Sequence, residues 1–145
     1  MGIYKFMREA GDKAAKQAAD RAREDEINKA FKRFGFGTPF KVKVEDDVVH
    51  IKGEAPDQET KEKVILTAGN VAGVGEVHEE IDAGDKKDEA TFHTVEKGDT
   101  LSKIAKAVYG DAMKYPVIFE ANKPMLTDPD LIYPGQVLRC PPLKD

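Results

Sequence analysis

Between Ala83 and Ala90 the chain reads Ala-Gly-Asp-Lys-Lys-Asp-Glu-Ala, a stretch with no apolar side chain larger than alanine. Such a stretch has nothing to bury and cannot run through a core, so it reads as a linker. It divides 145 residues into two parts, each near the lower end of the roughly 50 to 200 residues that one core serves. Two small domains are therefore expected rather than one. With 40% apolar and 34% charged residues, both parts have enough apolar material for a core beneath a strongly hydrated surface.

Charge is distributed unevenly. Residues 1–40 hold nine basic and six acidic side chains (+3), residues 41–84 five and eleven (−6), and residues 85–145 nine and ten (−1). A basic arm beside an acidic middle suits packing within the protein, whereas a nucleic-acid binder concentrates basic charge on one face, so no nucleic-acid partner is expected. The opening Met-Gly-Ile-Tyr-Lys-Phe-Met-Arg-Glu lacks the apolar run of an export signal, and no run approaches the ~20 apolar residues of a membrane span. The lone Cys140 suits a reducing compartment. A cytoplasmic location follows as the expectation.

In the first part, Ile3 to Ala22 has a helix-favouring composition interrupted by Gly11, and residues 1–24 read as an N-terminal helical segment. From Ile27 the positions Ile27, Ala30, Phe31 and Phe34 repeat at i, i+3, i+4, i+7, one apolar helix face, closed by Gly35 and Gly37. Lys41 to Val44 and Val48 to Ile51 read as a hairpin turning through Glu45-Asp46-Asp47. Pro56-Asp57 opens a helix to about Gly69, with Asp57 as its N-cap and Val64, Ala68 and Val71 on one face. A third strand is expected over Val74 to Ile81.

This αββαβ order, carried by Val42 to Gly53, Asp57 to Gly69 and the turn Asn70-Val71-Ala72-Gly73-Val74, resembles the BON domain across residues 25–83. Physically, three strands would supply one amphipathic sheet and two helices would cover it, an α+β layering. Residues 84–91 are the linker.

The second part, residues 92–145, begins with a short strand and a glycine turn. There Asp99 or Thr100 can cap the helix carrying Leu101, Ile104, Ala105 and Val108 at i, i+3, i+4, i+7, which Gly110 ends. A second helix starts near Met113, accepts Pro116 in its first turn and reaches Asn122. Ile132-Tyr133-Pro134-Gly135-Gln136 reads as a Pro-Gly type II turn into a last strand, Val137 to Cys140. The phrases His93 to Leu101, Ala121-Asn122-Lys123-Pro124 and Ile132 to Leu138 resemble the LysM module, a βααβ glycan binder. By that resemblance a glycan groove would run along the backbone of Gly98, Asp99, Thr100 and Leu101 and along Asn122, Lys123, Pro124 and Ile132. Of the aromatics Tyr109, Tyr115, Phe119 and Tyr133, helical spacing favours core packing over sugar stacking, and Phe119 is expected beneath the strands.

The polar residues suggest little chemistry of their own. His50, His78 and His93 fall in or beside strands and read as solvated, without the three or four convergent ligands that zinc needs. The runs Glu45-Asp46-Asp47 and His78-Glu79-Glu80 read as solvated turns and edges. No nucleophile elbow, phosphate loop or His-Glu-x-x-His helix is present, so no enzyme is expected. Cys140 reads as a small buried hydrophobe.

Taken whole, the order BON, charged linker, LysM is similar to the bacterial BON–LysM family of potassium-binding proteins. That resemblance implies K+ as the ligand. Potassium is held by several neutral oxygens, commonly backbone carbonyls, because clustered carboxylates favour divalent ions. Free carbonyls arise at helix ends and glycine turns. Two segments qualify: Met7 to Asp12 around Gly11, and Gly69 to Gly75 with three glycines. The residues expected to supply the oxygens are Met7, Ala10, Asp12, Gly69, Val71 and Val74. Two other functions stand beside a cytoplasmic K+ sensor: an envelope protein whose LysM binds peptidoglycan, and an adaptor whose LysM holds a protein partner.

Overall fold

A computed structural model describes residues 2–6, 20–36, 40–71, 74–84 and 89–143. The chain divides into two compact units, residues 1–86 and 87–145, with mixed helix and strand in each.

The first unit contains β1 (Gly2–Lys5), α1 (Asp20–Arg33), β2 (Lys41–Glu45), β3 (Val48–Glu54), α2 (Gln58–Gly69) and β4 (Glu76–Asp82). The strands form one sheet in the order β1-β4-β3-β2. The β2–β3 hairpin turns through Asp46, whose φ of 57° lies in the left-handed region that aspartate tolerates better than most residues. Helix α2 is the crossover that lets β3 and β4 run parallel.

Alternation along the strands sends Val44, Val49, Ile51, Val77 and Ile81 to one face of the sheet, where they are buried with Val64, Ile65, Leu66 and Ala68 of α2 and Ile27 and Phe31 of α1. Edge-on aromatic contacts extend that core, with Phe31 at 5.9 Å from Phe40 and 6.2 Å from Phe36 between ring centres. Helix α1 also covers the free edge of the hairpin. The Val44 N–H donates to Glu24 at 2.9 Å, and the buried Arg23 guanidinium donates to the Asp46 carbonyl at 2.9 Å, which removes groups that could otherwise template strand addition.

Two sequence expectations change here. Helical composition predicted a helix from Ile3, yet Gly2–Lys5 is a strand, antiparallel to β4 with Gly2 opposite Glu79 and Tyr4 opposite Val77. The sheet is therefore four-stranded. The open edge of β4 offers hydrogen bonds that Ile3 and Tyr4, both good strand formers, accept, and that tertiary pairing outweighs weak local propensity. Helix α1 in turn begins at Asp20, ahead of the Ile27 at which its apolar stripe becomes visible. The break expected at Gly11 lies outside the described residues.

The second unit contains β5 (Thr91–Thr94), α3 (Leu101–Tyr109), a 3₁₀ turn over Ala112–Lys114, α4 (Tyr115–Ala121) and β6 (Val137–Cys140), with β5 and β6 antiparallel. Thr100, rather than Asp99, caps α3 by accepting from the Lys103 N–H at 3.1 Å. Gly110 ends α3 in the left-handed conformation at φ 77°. Tyr133-Pro134-Gly135-Gln136 closes with Gln136 N–H donating to the Tyr133 carbonyl at 3.1 Å, and Gly135 has φ 92°, as a type II turn requires.

Val95, Leu101, Ile104, Ala105, Ile118, Leu126, Leu138 and Cys140 make the core. Val108, expected on the buried stripe, sits at the surface near the end of α3. Phe119 is only partly buried against the core, and the Lys123 ammonium lies 4.7 Å from its ring centre.

Candidate functional site

The last turn of α2 brings four pieces of backbone together. Asn70 caps the helix in αR geometry, its N–H reaching the Leu66 carbonyl at 2.9 Å. Val71 N–H then reaches the Ala68 carbonyl at 3.3 Å and Val74 N–H the Val71 carbonyl at 3.2 Å. Gly75 N–H donates to the Asp47 carbonyl at 2.7 Å, tying the loop to the β2–β3 turn, and Phe6 N–H donates to the Gly75 carbonyl at 2.8 Å. The exit of β1, the end of α2, the start of β4 and the hairpin turn thus meet at one corner. A carbonyl oxygen has two lone pairs, so Val71 keeps acceptor capacity beyond its bond to Val74.

Of the residues expected to hold an ion, Gly69, Val71 and Val74 lie at this corner. Met7, Ala10 and Asp12 lie outside the described residues, although Phe6, directly before Met7, packs against Gly69. Among the described residues no three His, Cys, Asp or Glu side chains are placed to hold a metal ion together.

In the second unit, the turn leading into α3 is internally bonded. The Asp99 carboxylate accepts from Glu96 N–H at 2.9 Å and lies 3.3 Å from His93 Nε2, and the Lys103 ammonium donates to the Gly98 carbonyl at 3.1 Å. The Glu96 N–H, more than His93, holds the Asp99 carboxyl below its ordinary range. Leu101 is buried in the core on which Ile132 packs, so the two expected groove segments border the same core. Lys123 and Pro124 are exposed, and so are Leu131 (65%) and Tyr133 (43%).

Asn122 differs from its expected role. Its side chain is buried, donating to the carbonyls of Ile118 at 2.7 Å and Arg139 at 2.9 Å and accepting from Arg139 N–H at 2.9 Å. The amide thus does for β6 what a neighbouring strand would, and it is not free for a sugar. Arg139, also buried, sends its guanidinium to the Ala121 carbonyl at 3.1 Å.

The acidic run on β4 is likewise not uniformly solvated. Glu79 points into the core face, 2% exposed, paired with Lys61 at 3.4 Å and accepting from Ile81 N–H at 2.8 Å. The neighbouring Gln58 and Glu62 of α2 are buried as well, and the Gln58 amide donates to Glu62 at 3.1 Å. Strand alternation from Val77 could have placed Glu79 inward, but charge argued against it. On the opposite face His78 is half-buried, 2.7 Å from the Glu76 carboxylate, and its ring centre is 5.1 Å from that of His50. The hydrogen bond from His78 lowers the Glu76 pKa. Burial pushes the Cys140 thiol up to about 11.

The fold defines a two-domain protein of known modules: residues 19–85 match the BON domain model and residues 93–141 the LysM domain model. Across 147 aligned positions the chain is 38% identical to the potassium binding protein Kbp of Escherichia coli O6:H1, an alignment covering 97% of this chain and 99% of that protein. The chain belongs to this Kbp family. Shorter similarities include an uncharacterized protein of Deinococcus radiodurans, 53% identical over 35% of this chain and 19% of that one. An esterase of Mycobacterium tuberculosis is 50% identical over 33% of this chain but only 10% of the esterase, too little to carry its activity over.

Proposed function

We propose that this protein binds K+ as a cytoplasmic, non-enzymatic sensor, using backbone carbonyls of Met7, Ala10 and Asp12 together with those of Gly69, Val71 and Val74. The observation that carries the reading is the corner at Phe6: β1 delivers the chain there, bonded to Gly75 and packed on Gly69, immediately before Met7. Two carbonyl-rich segments therefore start from one point. Neutral carbonyl dipoles suit a large monovalent cation better than a divalent one. The near full-length similarity to a protein named for potassium binding supports the same ligand.

Thermal unfolding of the intact chain in matched potassium, sodium and lithium chlorides tests the proposal. Potassium at about 100 times its dissociation constant adds about 2.7 kcal/mol, several degrees for a domain of this size. Identical melts in the three salts overturn it.

A second reading, peptidoglycan binding through the LysM domain, draws on the exposed Leu131, within the Lys123 to Ile132 segment, and Tyr133, directly after it. Sedimentation with purified cell wall tests it, together with fractionation of tagged protein. Failure to co-sediment, with the protein recovered in the cytoplasmic fraction, removes it.

A further inference from the structure

Helix α2 ends in a way that local sequence does not explain. A glycine at a helix end ordinarily supplies the left-handed cap, but the cap here is Asn70, with φ −83°, and Gly69 is the last helical residue before it. Its role is space. A Cβ built on Gly69 would overlap Cζ, Cε2 and Cε1 of Phe6, an overlap that no side chain can accept. The Phe6 ring rests directly on the backbone of the final turn of α2.

The same residue holds the other end of the loop. Phe6 N–H donates to the Gly75 carbonyl at 2.8 Å, so the ring sits where the Gly69 to Gly75 loop begins and the amide where it finishes. Gly75 is in turn fixed by the Asp47 carbonyl at 2.7 Å. Beyond Phe6 the next peptide belongs to Met7. One residue therefore holds both ends of that loop.

We infer that Phe6 is a positioning residue for the ion: it touches no ligand itself but sets the carbonyls of Gly69, Val71 and Val74, and Gly69 is glycine so that the ring can reach that place. This rests on the proposed carbonyl site. Because oxygens around an ion must converge within a few tenths of an ångström, loosening Phe6 weakens ion binding more than it weakens the fold. A bulky residue at 69 acts like the loss of the ring, since it pushes the ring away.

The experiment is a potassium titration of thermal stability on the full chain, at constant ionic strength made up with lithium chloride. It compares the wild type, Phe6→Leu, Phe6→Ala, Gly69→Ala and the double variant Phe6→Ala/Gly69→Ala. The readout is the potassium concentration giving half the maximal rise in melting temperature, with the melt in lithium alone as the measure of the fold. A purely structural contact lowers the lithium melt and leaves that concentration where it was. The expected result is a rise of at least tenfold for Phe6→Ala and Gly69→Ala, a smaller one for Phe6→Leu, and no further rise when Gly69→Ala is added to Phe6→Ala. If Phe6→Ala fails to fold, Phe6→Leu and Gly69→Ala carry the test. A wild-type potassium response that these variants leave unchanged overturns the role of Phe6 while leaving the ion site standing. No response in the wild type overturns both.

Discussion

Replacing Asn122 by alanine removes a buried side chain that bonds both α4 and β6. Its amide makes three hydrogen bonds of 2.7 to 2.9 Å, to Ile118 and to both backbone groups of Arg139, and the residue is 1% exposed. Arg139 stands opposite Phe92 in the β5–β6 ladder, and its N–H and C=O turn away from β5 toward Asn122. Alanine would remove all three of these bonds to buried backbone groups. Losing its bond costs each of the two buried groups of Arg139 about 1 to 3 kcal/mol, so the substitution should cost about 2 to 6 kcal/mol. A small domain holds little more than that in total. The expected outcome is a second-domain melting temperature lower by at least about 10 °C, read from resonances of residues 91–140 during thermal unfolding. Asn122→Asp should also destabilise, because it exchanges two donated bonds for a charge facing carbonyls. A loss below about 0.5 kcal/mol for Asn122→Ala would refute the assignment of this amide as the strand-like partner of β6.

Lys61→Ala should destabilise the first domain by about 3 to 5 kcal/mol because Glu79 is left charged and buried, whereas Lys61→Met with Glu79→Leu should restore most of that; equal losses in urea unfolding would contradict a buried pair. The Asp99 carboxyl titrates below its ordinary 3.8 in the folded protein. Its contribution is therefore present above that value and lost as pH falls through the lowered one, so Asp99→Asn should flatten the acid limb of second-domain stability below 3.8, followed by near-ultraviolet dichroism. Cys140, buried and with its pKa pushed up to about 11, should resist iodoacetamide at pH 8 until the domain unfolds, as mass spectrometry of the alkylated chain would show; rapid native labelling would contradict it.

Periodicity made most of the secondary structure legible. Leu101, Ile104 and Ala105 sit in the core as their spacing required, and Asp57 caps α2 by accepting from Thr60 N–H at 2.8 Å. What escaped depended on partners distant in sequence. β1 is a strand because β4 has an edge to offer, and nothing within Gly-Ile-Tyr-Lys announces that neighbour. Glu79 faces inward because Lys61 reaches it from α2, and Asn122 turns inward because Arg139 lies 17 residues away. Gly69 looked like a helix stop and proved to be room for a ring. At the candidate ion site, glycines and a helix end marked Gly69, Val71 and Val74, while the anchoring contact of Phe6 had no local signature.

Calorimetric titration of potassium chloride into the intact protein, in lithium chloride at fixed ionic strength, addresses the central claim most directly, with Asp12→Asn measured alongside. A site made of backbone carbonyls gives saturable potassium heat with one ion per chain, weaker or no heat for sodium, and the same isotherm for Asp12→Asn, because the carbonyl survives the substitution. Absence of saturable heat, or its loss in Asp12→Asn, would contradict the account.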